Sequence, residues 1–408
     1  MHLSWLWQVK ITNDDWKGTS RMAKQLLVTN CKLFDTGKTV SILIEDGTIA
    51  KVGQIKRAGL GNVLDAKGLF VAPGFIDVHI QGAGGADTLD GTPEAFETIS
   101  RTCARFGVTG FLATTVCRPN GDNRHLKVAA EMTNRFLGGA ALLGIHLEGP
   151  FISPNKRGMI RPDCVCPPSA AVLDDILEKT AGHLRMMTIA PELPDGTELI
   201  QRLMQRGIVA SFGHSQATYE QTLAGFQAGL SHVTHLFNAM PSIHHRSPGP
   251  LVAIFETEQV TCQVIADGVH IHPAVLRMTF EKLGPQRVML ITDGMQALGL
   301  PDGKYMYNGN EYESRAGTPR YKDGTLIGTS LGLSELLKRF MGFTGCGLET
   351  AIRTVTENPA RLLGLDNKKG ILAVGLDADL VIFNSDLSIH ATIVAGEIVF
   401  QNDKIRKK

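Results

Sequence analysis

HLEGPF (146–151), SFGHS (211–215), HLFNAM (235–240) and ITDGM (291–295) are four segments that each follow a short apolar run. They place Glu148, His214 and His235 at the ends of predicted strands, with Asp293 at the end of a further strand, over about 150 residues. Side chains so far apart in sequence converge where all strands point their carboxyl ends at one site, as in a parallel barrel. One glutamate, two histidines and one aspartate in such a place are typical of a metal-dependent hydrolase.

Strand-like and helical patterns alternate through the middle of the chain. The strand-like runs fall at 74–80, 107–115, 141–148, 184–191, 207–213, 231–236, 260–266 and 287–293. Between them lie helical patterns such as PEAFETISRTCARF (93–106) and ATYEQTLAGFQAG (217–229). Eight such units predict an α/β fold, a (β/α)8 TIM-like barrel. A doubly wound open sheet is the alternative, but candidate ligands behind strands 1, 3, 5, 6 and 8 favour a closed barrel.

Both ends of the chain are rich in short β patterns. QLLVTNCKLFD (25–35) begins one such region, and GLDADLVIFNSDLSIHATIVAGEIVFQND (375–403) forms the other. Short β-rich runs separated by turn residues predict antiparallel strands. We therefore expect residues 22–72 and 368–408 to build a small β-sandwich domain, and residues 73–367 to form the barrel domain. Residues 1–21 are interpreted as a disordered N-terminal extension.

Composition excludes several classes of partner. The 408 residues include 41 basic and 40 acidic side chains, well mixed, with a formal net charge of +1. This balance offers no broad electrostatic surface for nucleic acid or for an anionic membrane. The seven cysteines contain no CxxC pair, and no apolar run approaches the length of a membrane span. We expect a soluble, cytoplasmic protein with neither nucleic-acid nor membrane partners.

The four opening segments carry the candidate chemistry. A carboxylate such as Glu148 is costly to bury unless it is paired or bound to a metal. With the imidazoles of His214 and His235 it gives three protein ligands, the number that catalytic zinc prefers. Iron, cobalt and manganese also suit these ligands. Asp293 is the candidate general base and acid, although an aspartate before Gly294 is also a common turn residue.

Further candidates lie after other strands. His79 and Asp77 share a face of the first strand, so His79 is a candidate ligand, with Asp77 its orienting partner, or else a core histidine. Arg246, in HHRSPGP (244–250), suits a phosphate, although a solvated loop charge is the ordinary alternative. ADGVH (266–270) places Asp267 and His270 at the mouth of the barrel. The segment GTLIGTS (324–330) can lay backbone N–H groups against a ligand.

The motifs together resemble a known family. PGFIDVHIQGAGG (73–85), HLEGPFIS, THLFNAM, HHRSPG, ADGVH, TDGM and GLDADLVIF occur in the order found in the N-acetylglucosamine-6-phosphate deacetylases of the amidohydrolase superfamily. The resemblance extends over roughly residues 24–400. It implies a (β/α)8 barrel with a small β-sandwich domain built from both termini. It also implies metal-dependent hydrolysis of N-acetyl-D-glucosamine 6-phosphate to D-glucosamine 6-phosphate and acetate, within amino-sugar metabolism.

The resemblance also assigns roles to residues. Glu148, His214 and His235 would hold one divalent metal ion per subunit, with zinc expected, and Asp293 would be the catalytic residue. The residues implied in substrate binding are Met159, Asn238, Ala239, Arg246, Asp267, His270, Leu326, Ile327 and Gly328. In the family the arginine can come from the neighbouring subunit. A homodimer in which Arg246 reaches the partner's active site is therefore implied.

Two departures from the family pattern bear on the chemistry. Gln81 stands where members with two metals have a second histidine, so a second metal site at His79 stays open. Met159 and Ile160 stand where the family has a small residue and then a histidine or glutamine that helps to polarise the acetyl carbonyl. Arg157 or Arg161 could replace that donor. The alternatives are an amidohydrolase for another amide, or a catalytically impaired phosphosugar-binding homologue.

Overall fold

The structure, a computed structural model, describes residues 25–55 and 61–402. The extension predicted at residues 1–21 lies outside these ranges. The first five strands precede the barrel: β1 (Gln25–Leu33), β2 (Thr39–Glu45), β3 (Thr48–Gly53), β4 (Asn62–Asp65) and β5 (Phe70–Pro73). Within the described part of the chain, none of the helices is both long and apolar enough to cross a membrane.

Eight parallel strands form a nearly closed barrel. The first is β6 (Phe75–Ile80), followed by the short hairpin β7 (Gly82–Ala83) and β8 (Ala86–Asp87). The other barrel strands are β9 (Val108–Thr115), β10 (Ala141–Glu148), β11 (Leu184–Ile189), β12 (Val209–Phe212), β13 (His232–Val233), β14 (Thr261–Val264) and β15 (Val288–Leu290). Each pairs with the next, from β6 to β15.

The two edges of this sheet meet just beyond β15. Ile80 forms a parallel bridge with Gly294. Beneath it, the Thr292 hydroxyl donates a 2.6 Å hydrogen bond to the buried Asp77 carboxylate. The predicted barrel is therefore confirmed, and the open doubly wound sheet is not the fold.

Helices cover the outside of the barrel, and each of the first seven connects consecutive barrel strands. They are α1 (Pro93–Ala104), α2 (Arg124–Met132), α3 (Ala170–Thr180), α4 (Gly196–Gln205), α5 (Tyr219–Ala228), α6 (Gly249–Glu256), α7 (Pro273–Leu283), α8 (Leu333–Thr344), α9 (Leu348–Arg353) and α10 (Glu357–Leu362). Helices α1 and α5 match the two helical patterns of the sequence. Helix α5 begins with a capping box between Thr218 and Gln221, which satisfies backbone N–H groups at its start.

An antiparallel sheet that the sequence analysis did not anticipate follows β15. It contains β16 (Gly303–Tyr307), β17 (Asn310–Arg315) and β18 (Thr318–Arg320). Asn308 and Gly309 form its first turn with φ values of 46° and 84°. Asn-Gly is a strong hairpin signal because both residues tolerate positive φ. The segment 324–330 thus follows this insertion, yet Thr329 still bridges to Gly294 at the end of β15.

Strands from the two chain ends form a second, separate unit. The last strands are β19 (Leu380–Phe383), β20 (Ile389–Val394) and β21 (Glu397–Gln401). The sheet order is β21-β20-β19-β5-β1-β2-β3, with β4 paired to β1. Its inward side chains, including Val28, Ile42 and Ile382, form an apolar core of their own. A mostly-strand domain built from both termini is therefore confirmed.

An ion-pair cluster around the buried Asp379 holds this domain to the barrel. The Lys369 ammonium lies 2.7 Å from an Asp377 oxygen and 2.6 Å from an Asp379 oxygen. Asp379 accepts a hydrogen bond from the Ala395 N–H through its side chain and from the Gly74 N–H through its carbonyl. The cluster thus joins the start of the barrel to the turn between β20 and β21.

Replacing Lys369 by Met should lower the free energy of unfolding by about 3 kcal/mol, because Asp379 would stay buried without its cation. Urea denaturation measures this change. The matched control is Arg315→Met, which breaks an ion pair to Glu313 whose side chains are 80% and 54% exposed. That control should change stability by less than about 1 kcal/mol. Equal effects of the two variants would contradict a stabilising role for the buried cluster.

Candidate metal centre and active site

Glu148, His214 and His235 meet at the carboxyl ends of the barrel strands. Glu148 is the last residue of β10, and the histidines each follow the end of their strand, β12 or β13, by two residues. The Glu148 Oε1 atom lies 2.9 Å from Nε2 of each histidine, and the two Nε2 atoms are 3.1 Å apart. All three side chains are buried. The structure therefore brings together the three ligands predicted from sequence.

The backbone at this centre is strained. His214, His235 and Asp293 have positive φ values of 48°, 26° and 46°. Non-glycine residues seldom adopt this conformation, which costs of order 1–3 kcal/mol each and concentrates at functional sites. Each of these three residues lies in the turn that follows a barrel strand, and its side chain reaches the centre.

The donor set fits a metal cation. His214 Nδ1 lies 2.7 Å from the Lys156 carbonyl oxygen, which can only accept a hydrogen bond, so the ring proton sits on Nδ1. The Nε2 atom of that ring therefore faces the Glu148 carboxylate oxygen. Burial lowers the pKa of His235, which keeps that ring in the neutral form that binds metals. The three facing atoms lie 2.9–3.1 Å apart, close to the separation of about 3.3 Å between ligand atoms in a tetrahedral zinc site.

Asp293 completes the centre from the other side of the barrel. Its Oδ1 atom lies 3.2 Å from His79 Nε2. The Gln81 amide nitrogen lies between Asp293 Oδ1 and Glu148 Oε2, 3.4 Å and 3.3 Å away, and donates to both. The Asp293 backbone N–H donates to the His79 carbonyl oxygen at 2.9 Å. These contacts hold the ends of the first and eighth strands together. They place the carboxylates of Glu148 and Asp293 beside His79.

The charged groups at this centre shift one another's pKa values. Burial opposes ionisation of Asp293, but the nearby His79 lowers its pKa below the usual value. Burial also opposes the charge of Glu148, and His79, His214 and His235 together bring its pKa well below the ordinary range. In turn, the two carboxylates outweigh burial and raise the pKa of His79 to about 9. Both carboxylates are therefore ionised at neutral pH, as a metal ligand and a general base require.

The residue that orients His79 is not the one expected from sequence. Gln263 on β14, fully buried, lies 2.9 Å from His79 Nδ1 through its side-chain oxygen, and its amide donates toward the Met186 sulfur. Asp77 accepts from the His79 backbone N–H and from the Thr292 hydroxyl, and burial raises its pKa to about 6. An isolated glutamine in an apolar strand carries no local signal of this role.

The segment after the inserted sheet borders Asp293. Gly328 has φ +70°, and a Cβ atom there would lie 2.1 Å from the Asp293 carbonyl oxygen, so only glycine fits. Ile327 is buried beside Met295, with the half-buried Met159 packed against them, while Leu326 is partly buried. The structure thus brings Met159, Ile327 and Gly328 to one wall of the centre.

Ile160 turns away from this wall. It is fully buried against Val116, Ile152 and Cys164. The chain therefore has no polar side chain at that position, as its sequence indicated. Arg157 lies in the same loop, and its Nη1 donates to the Ile160 carbonyl oxygen at 2.7 Å.

The remaining candidates lie around the mouth of the barrel. Asn238 donates to the carbonyl oxygens of His235 and Leu236, and the next residue, Ala239, has φ 55°. The buried Asp267 carboxylate lies 2.7 Å from His270 Nδ1 and fixes that ring. Arg246 is exposed, and its guanidinium lies 2.6 Å from His245 Nε2. Within this chain, Arg246 is thus not held by the centre itself.

The family model of the amidohydrolases matches residues 70–399 of this chain. The chain belongs to the amidohydrolase family. Proteins of this family are metal-dependent, which agrees with the Glu148, His214 and His235 triad.

Two deacetylases are similar to this chain over most of its length. The N-acetylglucosamine-6-phosphate deacetylase of Bacillus subtilis (strain 168) is 35% identical over 391 residues, 93% of this chain and 98% of that protein. The N-acetylgalactosamine-6-phosphate deacetylase of Escherichia coli O157:H7 is 33% identical over 356 residues, 87% of this chain and 93% of that protein.

A solved structure agrees with these relatives. A variant of the Mycobacterium smegmatis N-acetyl-D-glucosamine-6-phosphate deacetylase, in complex with N-acetyl-D-glucosamine-6-phosphate, is similar with a TM-score of 0.83 and 33% identity. The match covers 93% of this chain and 100% of that one. The resemblance predicted from the motifs is confirmed.

Replacing His214 by Ala should weaken metal binding by more than about 100-fold, because losing a direct ligand costs more than losing the partner of a ligand. Metal content after dialysis against a competing chelator measures the loss. The control is His244→Ala, an exposed histidine outside the triad, which should keep the wild-type metal content. Full metal retention by the His214 variant would exclude this residue as a ligand.

Proposed function

We propose that this protein hydrolyses N-acetyl-D-glucosamine 6-phosphate to D-glucosamine 6-phosphate and acetate. The observation that carries the proposal is the convergence of Glu148, His214 and His235 with the ionised Asp293 at the mouth of the barrel. Relatives at 33–35% identity over most of the chain that bear the name of this activity support it.

The roles follow from the geometry. A divalent cation held by Glu148, His214 and His235 would polarise the amide carbonyl and acidify a water molecule. Asp293 takes the water proton, since its carboxylate is ionised and faces the same point. The water oxygen adds to the carbonyl carbon, and Asp293 then returns the proton to the amine nitrogen as the C–N bond breaks. His79 and Gln81 hold Asp293 in place through the contacts described above.

Two groups of residues would orient the substrate. Asn238 and Ala239 would meet the sugar phosphate, with Arg246 supplying the guanidinium that suits it. Asp267 fixes His270, which leaves the ring Nε2 for the substrate. On the opposite side, the acetamide would lie against the wall that bears Met159, Leu326, Ile327 and Gly328.

We also propose that the metal is zinc, one ion per chain. Two imidazoles and one carboxylate match a frequent ligand set of catalytic zinc. A second ion at His79 is disfavoured, because the Gln81 amide hydrogens already occupy the space between Glu148 and Asp293. Elemental analysis of the purified protein distinguishes zinc from iron, cobalt and manganese, and one ion from two.

The domain limits and the location belong to the same proposal. The proposed limits are 22–72 with 368–408 for the β-sandwich and 73–367 for the barrel. The strands support a division close to residue 74, since β5 ends at Pro73 and β6 begins at Phe75, while the outer limits lie outside the described residues. A cytoplasmic location stays a prediction from cysteine usage, which cell fractionation tests.

Replacing Asp293 by Asn should reduce turnover by more than about 10³-fold, because the amide cannot take a proton from water. Acetate release from N-acetyl-D-glucosamine 6-phosphate measures this, with the wild-type protein assayed before and after chelation. The same assay with N-acetyl-D-galactosamine 6-phosphate compares the substrates for which the two relatives are named.

Bound metal is the internal control for this variant. The Asp293→Asn protein should keep the wild-type metal content, since Glu148, His214 and His235 are intact. Activity near the wild-type value would remove Asp293 from the mechanism, and wild-type activity that survives complete metal removal would exclude the metal-dependent route.

We further propose a homodimer in which Arg246 serves the partner's active site. Its exposed side chain and its lack of contact with the centre in the described residues of one chain support this arrangement. A shared site of this kind makes each active site depend on both subunits.

Mixed dimers test the exchange. Chains carrying Arg246→Ala and chains carrying Asp293→Asn should each be nearly inactive alone. A purified heterodimer of the two should recover about half of the wild-type activity, because one of its two sites has both residues intact. A heterodimer as inactive as its parents, or a protein that stays monomeric in sedimentation analysis, would refute the shared site.

A further inference from the structure

A groove of about 450 Å³ opens beside the candidate metal centre. Arg157, Gly158 and Met159, in the loop after β10, line one wall of this groove. Tyr321 and Thr325, just after the inserted sheet, line the other. The groove is far larger than an acetyl methyl group requires, since a water molecule occupies about 30 Å³.

Both walls of the groove lead to the metal centre. On one wall, a Cβ atom at Gly158 would lie 3.6 Å from His214 Cε1. On the other, Thr325 leads within three residues to Gly328, which packs against the Asp293 backbone. Met159 spans the two walls by packing in one cluster with Ile327. The groove therefore borders residues that contact the candidate metal centre.

An uncompensated cation lines this groove. Arg157 is half-buried, and its Nη1 atom is anchored on the Ile160 carbonyl oxygen. Among the described residues, no carboxylate lies within ion-pair distance of Arg157. Arg161, in the same wall, differs because Asp163 pairs with it at 3.0 Å.

The facing wall carries a hydroxyl and a carboxylate. The Tyr321 hydroxyl is buried in this wall close to the Asn310 side chain, which also lines the groove. The groove also includes Asp323, whose carboxylate accepts the Thr325 N–H at 2.9 Å. The guanidinium of Arg157 is therefore the donor available to an anionic group, and a carboxylate suits the guanidinium fork.

We propose that this site also hydrolyses hexosamine 6-phosphates whose N-acyl group ends in a carboxylate, such as the N-succinyl derivative. The proposal rests on the deacetylase function proposed above. Water adds to the amide carbonyl carbon, the C–N bond breaks and the amine nitrogen takes a proton, which gives the hexosamine 6-phosphate and the dicarboxylate. The far carboxylate binds Arg157 and takes no part in bond breaking.

The kcat/KM values for N-succinyl- and N-butyrylglucosamine 6-phosphate test this inference. The two acyl groups have equal numbers of carbon atoms and differ in the terminal carboxylate. The wild-type protein should prefer the N-succinyl substrate by about tenfold or more, as hydrogen bonds to charged groups allow. Arg157→Met should abolish this preference, and Arg157→Lys should keep part of it.

Arg161→Met is the matched control, because it removes an ion-paired arginine from the same wall. It should change kcat/KM for both substrates by the same factor and leave the preference intact. A wild-type protein that hydrolyses the N-acetyl substrate but shows no preference for N-succinyl over N-butyryl overturns the inference. The inference is also overturned if Arg157→Met lowers kcat/KM equally for all N-acyl substrates. If the N-acetyl substrate itself is not hydrolysed, the proposed function fails as well.

Discussion

The convergence of three buried side-chain atoms on one point is the constraint on which the rest of the site depends. The Glu148 Oε1 atom faces two imidazole nitrogens at 2.9 Å, and the Lys156 carbonyl holds His214 through Nδ1, so that its Nε2 points inward. A buried carboxylate needs a partner, and a metal cation is one that this set of atoms fits. The chain accepts left-handed backbone at His214 and His235 to hold it, which is strain of the kind that rigid surroundings maintain at functional sites.

Closure of the barrel also places Asp293. The first and eighth strands meet where Ile80 bridges to Gly294 and Thr292 binds Asp77. The next residue, Asp293, donates its N–H to His79 on the facing strand. The distance between Asp293 and the triad of Glu148, His214 and His235 is therefore determined by how the sheet closes. A change in the packing of either edge would reach the chemistry directly.

The two sides of the active site differ in character. One side has the exposed Arg246 and His270, whose ring Asp267 fixes. The other side has an apolar wall at Ile327 and Met159, and beyond it a groove with Arg157, for which the described residues provide no ion-pair partner. Ile160 is directed into the core, so that side has no polar side chain at this position.

The sequence by itself determined the eight βα units, the closed barrel and the strand ends that bear Glu148, His214, His235 and Asp293. These follow from hydrophobic periodicity and from strand-terminating residues, which are local properties. The inserted sheet also has a local signal, because Asn308-Gly309 is typical of a hairpin turn. Only the tertiary structure decided that Gln263, rather than Asp77, contacts the His79 ring, and that Arg157 has no ion-pair partner among the described residues. Such pairings join residues distant in sequence, so they depend on the register and closure of the whole barrel, which no local pattern encodes.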